Sequence, residues 1–172
     1  MGNGQSDQRY HHDKPKAFRG RELNGDWYVL AKCPSDCDYP SDRELVTFQY
    51  DCSQEKFEIE ARYYCKGALT TSRRSTAVVK EFLMPAQLES KALDNLPSNG
   101  VNGCHYVHYV DECYAIVAGH GENKLWVLTR QEKVTREEVG HVLDCLRQHG
   151  LNCSCLVSSC DFIKEEECEK TC

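Results

Sequence analysis

Regular alternation of apolar and polar side chains in two neighbouring segments constrains the fold of this chain more than any other feature. Between Glu44 and Cys52, the side chains of Val46, Phe48 and Tyr50 alternate with polar ones, and the pattern recurs over residues 56–65. A period of two is typical of strands that bury one face and expose the other. The three residues between the segments suit a hairpin, so the pattern predicts an antiparallel pair.

Similar short segments continue on both sides of this pair. Their connections are too short for crossover helices, so neighbouring strands must be antiparallel. Closing such a sheet removes both edges and leaves an apolar interior, without a ring of charge, that is wide enough for one small ligand. We therefore predict an all-β fold, an eight-stranded antiparallel up-and-down β-barrel. Its strands are Asp26–Lys32, Glu44–Cys52, Lys56–Cys65, Thr70–Leu83, Ala86–Leu93, His105–Val110, Cys113–Ala118 and Lys124–Arg130.

The period changes after the last strand. Thr135 and Glu138 match a capping box, apolar residues then recur at helical spacing, and Gly150 supplies a stop. This predicts one C-terminal α-helix over about residues 136–149, packed on the outside of the barrel. We expect three parts in the chain: a flexible N-terminal arm (residues 1–20), the barrel plus helix (21–160) and a disulfide-tethered acidic tail (161–172).

The chain contains twelve cysteines in 172 residues, an even number spread along its length. We predict disulfides and an oxidising compartment, hence an extracellular, secreted protein. The first 20 residues lack an apolar segment, so we expect its signal peptide to lie outside this sequence. Zinc is the alternative, but no second ligand pair has suitable spacing, so we predict neither metal nor cofactor. The cysteines are Cys33, Cys37, Cys52, Cys65, Cys104, Cys113, Cys145, Cys153, Cys155, Cys160, Cys168 and Cys172.

Charge and hydropathy exclude two classes of partner. The formal net charge is −6, which argues against binding the phosphate backbone of a nucleic acid. No apolar run approaches the ~20 residues that span a bilayer, so we predict no transmembrane segment.

The first and last predicted strands carry a recognisable pair of motifs. Gly25-Asp26-Trp27 opens the first strand, and the aromatic–aliphatic last strand ends at Arg130 before the capped helix. Over about residues 23–160 this arrangement resembles the lipocalin family. The resemblance implies that Arg130 stacks on Trp27, next to Gly25, and closes one end of the barrel. It also implies a disulfide from Cys65 to Cys160 or Cys153.

One family motif is missing. The T-D-Y motif between the sixth and seventh strands is replaced by a segment in which Asp111 stands one position later. The chain is therefore expected to be an outlying lipocalin.

A lipocalin with an apolar interior is expected to carry a small hydrophobic ligand such as a retinoid, carotenoid, bilin, steroid or fatty acid. The many tyrosines suit a ligand with a polar end, because tyrosine combines a flat apolar surface with a polar tip. Each candidate could alternatively only fill the core. The residues predicted to point inward and contact the ligand are Val29, Phe48, Tyr50, Ile59, Tyr63, Tyr106, His108, Tyr114, Ile116 and Trp126.

Two alternative functions remain open at this stage. Residues 106–116 resemble part of violaxanthin de-epoxidase, a lipocalin-core enzyme, which would make Asp111 the candidate acid. The histidine pair of that family is absent from the second strand, so we favour a non-enzymatic protein. The other alternative is an interaction or inhibitory lipocalin without a ligand, with a protein receptor as partner. The sequence leaves the oligomeric state and glycosylation of Asn152 undetermined.

Overall fold

The computed structural model describes residues 16–33, 41–93, 103–120, 124–154 and 156–158. The predicted eight-stranded barrel and its C-terminal helix are confirmed, and every strand boundary lies within two residues of its predicted position. A short 3-10 helix and a ninth strand were not predicted. The elements are the 3-10 helix Gly20–Leu23, β1 (Gly25–Lys32), β2 (Arg43–Asp51), β3 (Lys56–Cys65), β4 (Ala68–Glu81), β5 (Ala86–Ala92), β6 (Gly103–Val110), β7 (Tyr114–Gly119), β8 (Leu125–Thr129), α1 (Arg136–Gln148) and β9 (Val157–Ser158).

Each strand from β1 to β8 pairs antiparallel with the next, and β8 pairs with β1, which closes the barrel. On its other edge β1 pairs with β2 only along residues 25–28. Beyond that point β9 pairs with Ala31 and Lys32. The short ninth strand therefore extends the wall where β2 leaves β1.

The two ends of the barrel differ. The β2–β3 and β6–β7 hairpins share one end with the 3-10 helix, which we call the closed end. The β3–β4 hairpin and the first residues of β6 and β8 lie at the opposite end, which we call the open end.

Residues 16–20 belong to the barrel, so the prediction that they form a flexible arm is wrong. The backbone amide of Phe18 donates a hydrogen bond to the carbonyl of Phe82, and that of Met84 donates to the carbonyl of Lys16. The side chain of Phe18 is only 2% exposed and packs in the barrel core. One apolar side chain is thus enough to anchor this polar segment. Residues 1–15 and 161–172 lie outside the described residues.

Two hydrophobic clusters lie on opposite faces of the sheet. The first fills the barrel and includes Trp27, Phe57 and Val107. The second lies outside, where Leu146 of α1 packs with Ile116 and other side chains of β1, β7 and β8. The helix α1 packs at this position because the outer faces of these three strands are also apolar.

The predicted capping box begins α1. The hydroxyl of Thr135 accepts a hydrogen bond from the backbone amide of Glu138 (3.1 Å), and the Glu138 carboxylate accepts one from the amide of Thr135 (2.9 Å). Gly150 has a φ of 68° just after the helix, which suits the glycine at this stop. Among the described residues no helix has the length and apolar character needed to cross a membrane.

The disulfide bonding of the cysteines differs from the prediction at several positions. Cys33 is disulfide-bonded, whereas five other described cysteines are free: Cys52, Cys104, Cys113, Cys145 and Cys153. A disulfide needs Cα atoms within about 7 Å, and the barrel separates Cys52 at its closed end from Cys104 near its open end. The predicted bridge from Cys65 to Cys153 is not formed. Outside the described residues lie Cys37, Cys155, Cys160, Cys168 and Cys172.

Candidate functional site

Arg130 and Trp27 form the contact that closes one end of the barrel. The guanidinium carbon lies 3.5 Å from the centroid of the Trp27 ring. Its nitrogens also donate hydrogen bonds to the carbonyls of Asp26 (2.9 Å) and Asn24 (2.5 Å). The indole of Trp27 is fully buried and donates to the carbonyl of Leu23 (2.8 Å). The contact implied by the resemblance is therefore present.

Gly25 lies directly against this pair. Its φ is 98°, and a Cβ added to it would lie 3.0 Å from Nη1 of Arg130. A glycine is needed here for both its conformation and its lack of a side chain.

Aromatic rings fill the interior next to the closed end. The ring of Phe57 is completely buried, and its centroid lies 4.8 Å from that of Tyr50, 5.9 Å from that of Phe48 and 6.3 Å from that of Phe18. These four rings form a dense floor to the interior.

The inner wall nearer the open end is less completely covered. Val46, Ile59 and Trp126 pack against the same interior cluster but are only partly buried. Further along the inner face of β3, Ala61 and Tyr63 are also partly buried. Because these side chains point into the barrel, their exposure indicates that the interior is accessible from the open end and is lined mainly by apolar atoms.

Charged side chains also lie inside the barrel, although they do not form a ring of charge and were not predicted to point inward. Nζ of Lys32 lies 2.8 Å from a carboxylate oxygen of Glu44 and 5.8 Å from the centroid of the Tyr63 ring. On the inner face of β4, Arg73 and Ser75 are both buried. These groups make one side of the interior polar near the open end, where the polar end of a ligand could bind.

A cavity of about 300 Å3 lies where β6, β7 and β8 reach the open end. One of its lining side chains, His105, is in contact with the barrel interior, because its ring centroid lies 5.5 Å from that of Trp126. The lining residues are Gly103, Cys104, His105, Tyr106, Gly119, His120 and Lys124.

Six of the ten predicted ligand contacts lie on the inner face: Val29, Phe48, Tyr50, Ile59, Tyr63 and Trp126. Among them, Tyr50 is part of the aromatic floor. Whether any of them contacts a ligand stays a prediction.

The inward orientation predicted for the other four residues is wrong. Tyr114 and Ile116 belong to the outer cluster beneath α1. The ring centroid of His108 lies 6.4 Å from that of His149, which follows α1. It lies at the same distance from the ring centroid of Tyr106. The register of β6 shifts between Val107 and Tyr109, and β7 is apolar on both faces, so alternation alone does not reveal which face points inward.

Several polar residues of the interior and the cavity were not among the predicted site residues. The alternation of Phe48 and Val46 extends by one step to Glu44, and that of Val79 and Ala77 extends to Ser75 and Arg73. The signal was therefore present in the sequence. The contributions of His105 and Lys124 depend on how three strands end together, which the sequence does not contain.

Asp111 lies in the β6–β7 hairpin at the closed end, away from the open interior. Its carboxylate accepts hydrogen bonds from the backbone amides of Cys113 and Tyr114 (both 2.7 Å) and from the hydroxyl of Tyr109. Burial raises the pKa of Asp111, but these hydrogen bonds outweigh it and hold the pKa below its usual value. A carboxylate held in its ionised form by a turn is poorly suited to act as a general acid.

A closed antiparallel barrel with an accessible interior and one external helix defines a class of protein, the β-barrels whose interior can hold one small ligand. Residues 21–160 match the family model described as a lipocalin-like domain, and the chain belongs to that family. No curated protein sequence matches the chain significantly.

Solved structures with the same fold include several apocrustacyanins. Lobster apocrustacyanin A1 is 14% identical with a TM-score of 0.59, over 81% of this chain and 77% of that one. Apocrustacyanin C2 is 13% identical with a TM-score of 0.57, over 80% and 77% of the two chains. Apocrustacyanin C1 is 12% identical with a TM-score of 0.55, over 88% and 84%. At these identities the likeness concerns the fold.

Proposed function

We propose that this lipocalin is secreted, binds a small hydrophobic ligand inside its barrel and transports that ligand in the extracellular space. The observation that carries the proposal is the incomplete burial of Ile59, Val46 and Trp126, which point into the barrel above the aromatic floor. Burying these side chains with other parts of the protein would stabilise the fold by about 25 cal/mol per Å2 of apolar surface. A barrel without a ligand would therefore be more stable if they were covered. An apolar ligand entering from the open end would supply that cover.

The polar groups near the open end support a ligand with one polar terminus. Lys32 and Glu44 form their ion pair on the inner wall, with Tyr63 beside Lys32. A retinoid, carotenoid, bilin, steroid or fatty acid with its apolar part on the aromatic floor would place its polar part at this level. This order of apolar floor and polar rim favours entry with the apolar end first.

Extracellular localisation is supported by the twelve cysteines and by the disulfide at Cys33. Expression of the full chain behind a cleavable signal peptide, followed by mass analysis under nonreducing conditions, tests this part. Folded protein with intact disulfides in the medium supports it. Secretion of only misfolded or mixed-disulfide material would contradict it.

Binding is tested by extracting the purified protein with organic solvent and by titrating it with retinol and oleic acid. We expect a co-purifying apolar molecule, or saturable binding of one equivalent that quenches Trp126 fluorescence. Trp126→Phe should abolish most of the quenching while binding, measured by retinol absorbance, persists. Absence of both a co-purifying molecule and saturable binding of either probe would contradict the proposal.

A further inference from the structure

We infer that Asn152 is an N-glycosylation site on the outer surface of the protein, between α1 and β9. The inference rests on the secretion that is part of the proposed function, because N-linked oligosaccharides are attached to proteins that enter the secretory pathway. Residues 152–154 read Asn-Cys-Ser, the one Asn-x-Ser or Asn-x-Thr sequence in the 172 residues of the chain. The sequence left its modification undetermined, since a disulfide at the middle cysteine would make the asparagine hard to reach.

The asparagine and the hydroxyl of this motif both lie on the surface. Burial alternates along the segment: Asn152 and Ser154 are exposed, whereas Leu151 and Cys153 are partly buried and pack against the outer cluster. The motif requires the asparagine together with a hydroxyl two residues later. Both of these groups are therefore on the exposed side of the segment, where a bulky, hydrophilic oligosaccharide can be accommodated after folding.

A local hydrogen bond sets the conformation of the acceptor. Oδ1 of Asn152 accepts a hydrogen bond from the backbone amide of Ser154 (3.0 Å). Such a bond forms a turn that holds the side-chain amide of the asparagine close to the serine. It engages Oδ1 and not Nδ2, the atom to which the sugar becomes attached. The segment is anchored just before this turn, because the amide of Leu151 donates to the carbonyl of Leu146 in α1 (3.0 Å).

The middle residue of the motif does not block it. Cys153 is free, so no disulfide ties the acceptor segment to the barrel at this position. Cys153 and Leu151 pack on the outer cluster, which lies on the opposite face of the sheet from the barrel interior. An oligosaccharide on Asn152 is therefore attached outside the barrel and does not occupy the ligand site.

The modification is a group transfer from an oligosaccharide that is linked to a lipid pyrophosphate. Nδ2 of Asn152 attacks C1 of the first sugar, so the N–C1 bond forms and the bond between C1 and the pyrophosphate oxygen breaks. The lipid pyrophosphate leaves with that electron pair, and one amide proton passes to a base of the transferase. The step needs neither an oxidant nor a reductant.

The test uses the full chain, expressed behind a cleavable signal peptide in cultured human cells. Treatment with peptide N-glycosidase should remove the mass of one oligosaccharide from the secreted protein and leave an aspartate at position 152. Asn152→Gln and Ser154→Ala should each be secreted without the oligosaccharide. Ser154→Ala keeps the backbone amide that bonds Asn152, so it removes only the hydroxyl. Ser154→Thr is the matched control, because it keeps a hydroxyl and should keep the oligosaccharide.

The outcomes separate this inference from the proposed function. A secreted wild type without the oligosaccharide would overturn the site and leave secretion and ligand transport standing. An oligosaccharide that persists in Asn152→Gln would lie on another residue and would overturn the site as well. An oligosaccharide found only in Cys153→Ser would contradict the inference, because Cys153 would then be bridged in the wild type. Failure of the wild type and all variants to be secreted would overturn both the site and the extracellular localisation.

Discussion

The guanidinium carbon of Arg130 lies 3.5 Å from the ring centroid of Trp27, although the two residues are 103 positions apart in the sequence. The contact joins the end of β8 to the start of β1 at the closed end. Burial lowers the pKa of Arg130, but an arginine remains protonated at any physiological pH. The contact therefore combines a cation–π interaction with hydrogen bonds from one charged group to several carbonyls.

Arg130→Met should destabilise the barrel by about 2–4 kcal/mol, because it removes the cation–π interaction and leaves the carbonyls of Asn24 and Asp26 without their donor. Arg130→Lys keeps the charge but not the planar fork, and we expect it to lose about half as much. Urea unfolding followed by circular dichroism measures both. Unchanged stability of Arg130→Met would show that the pair does not hold the closed end together.

Gly20→Ala should disturb the aromatic floor. A Cβ at this buried position would overlap the ring of Tyr50, which packs on Phe57 at 4.8 Å. We expect a loss of about 1–3 kcal/mol, typical of overpacking. Gly140→Ala is the matched control, because an added Cβ there meets nothing within 4 Å inside α1. It should stabilise the protein by about 0.5–1 kcal/mol, and equal effects of the two changes would contradict this account of the floor.

Thr135→Ala should weaken the start of α1 by about 1 kcal/mol, since the Thr135 hydroxyl accepts the hydrogen bond from the amide of Glu138. Thr135→Ser keeps the acceptor and should cost much less. Thermal unfolding is the measurement. Retinol binding should remain unchanged in both variants, because α1 packs outside the barrel; a binding loss that matched the stability loss would argue that the helix shapes the interior.

His108 should make the stability depend on pH below about 6.5. Burial and the neighbouring His149 hold the pKa of His108 below its ordinary value of 6.5. As the pH falls through 6.5, the unfolded chain binds a proton before the folded protein does, so the free energy of unfolding decreases until the pH passes the folded pKa. His108 is only half-buried, so we expect less than about 1 kcal/mol.

The measurement is urea unfolding between pH 5 and 8. His108→Gln should flatten the curve in this window relative to the wild type. His141→Gln, at an exposed position of α1, is the matched control and should preserve the wild-type curve. A stability that rises as the pH falls from 7 to 5, and does so only when His108 is present, would reverse the sign argued here.

The strands and the helix could be predicted because each rests on a local pattern, and closure of the barrel could be predicted because it removes the exposed edges of the sheet. Period-two alternation marks a strand wherever one face is dry, as in β2 and β3, and Thr135 with Glu138 marks a helix start. The direction in which β7 faces could not be predicted, since its side chains are buried on both sides: Ala115 inside the barrel and Ile116 beneath α1.

The candidate site was predictable only in part, for a different reason. Val46 and Ile59 follow from alternation, but the cavity depends on where β6, β7 and β8 end relative to one another. A one-residue shift in β6, between Val107 and Tyr109, is enough to turn His108 outward and His105 inward. Such register shifts depend on packing across strands, which no local pattern records.

The central claim is that a ligand occupies the inside of the barrel, and a cavity-filling substitution tests it most directly. Ala61 points inward on β3, between Val46 and Arg73 of the neighbouring strands, whereas Glu58 points outward and is exposed on the same strand. We expect Ala61→Phe to weaken retinol binding by about tenfold or more, with Glu58→Phe binding as the wild type does. Equal retinol affinity in Ala61→Phe and the wild type would contradict a binding site inside the barrel.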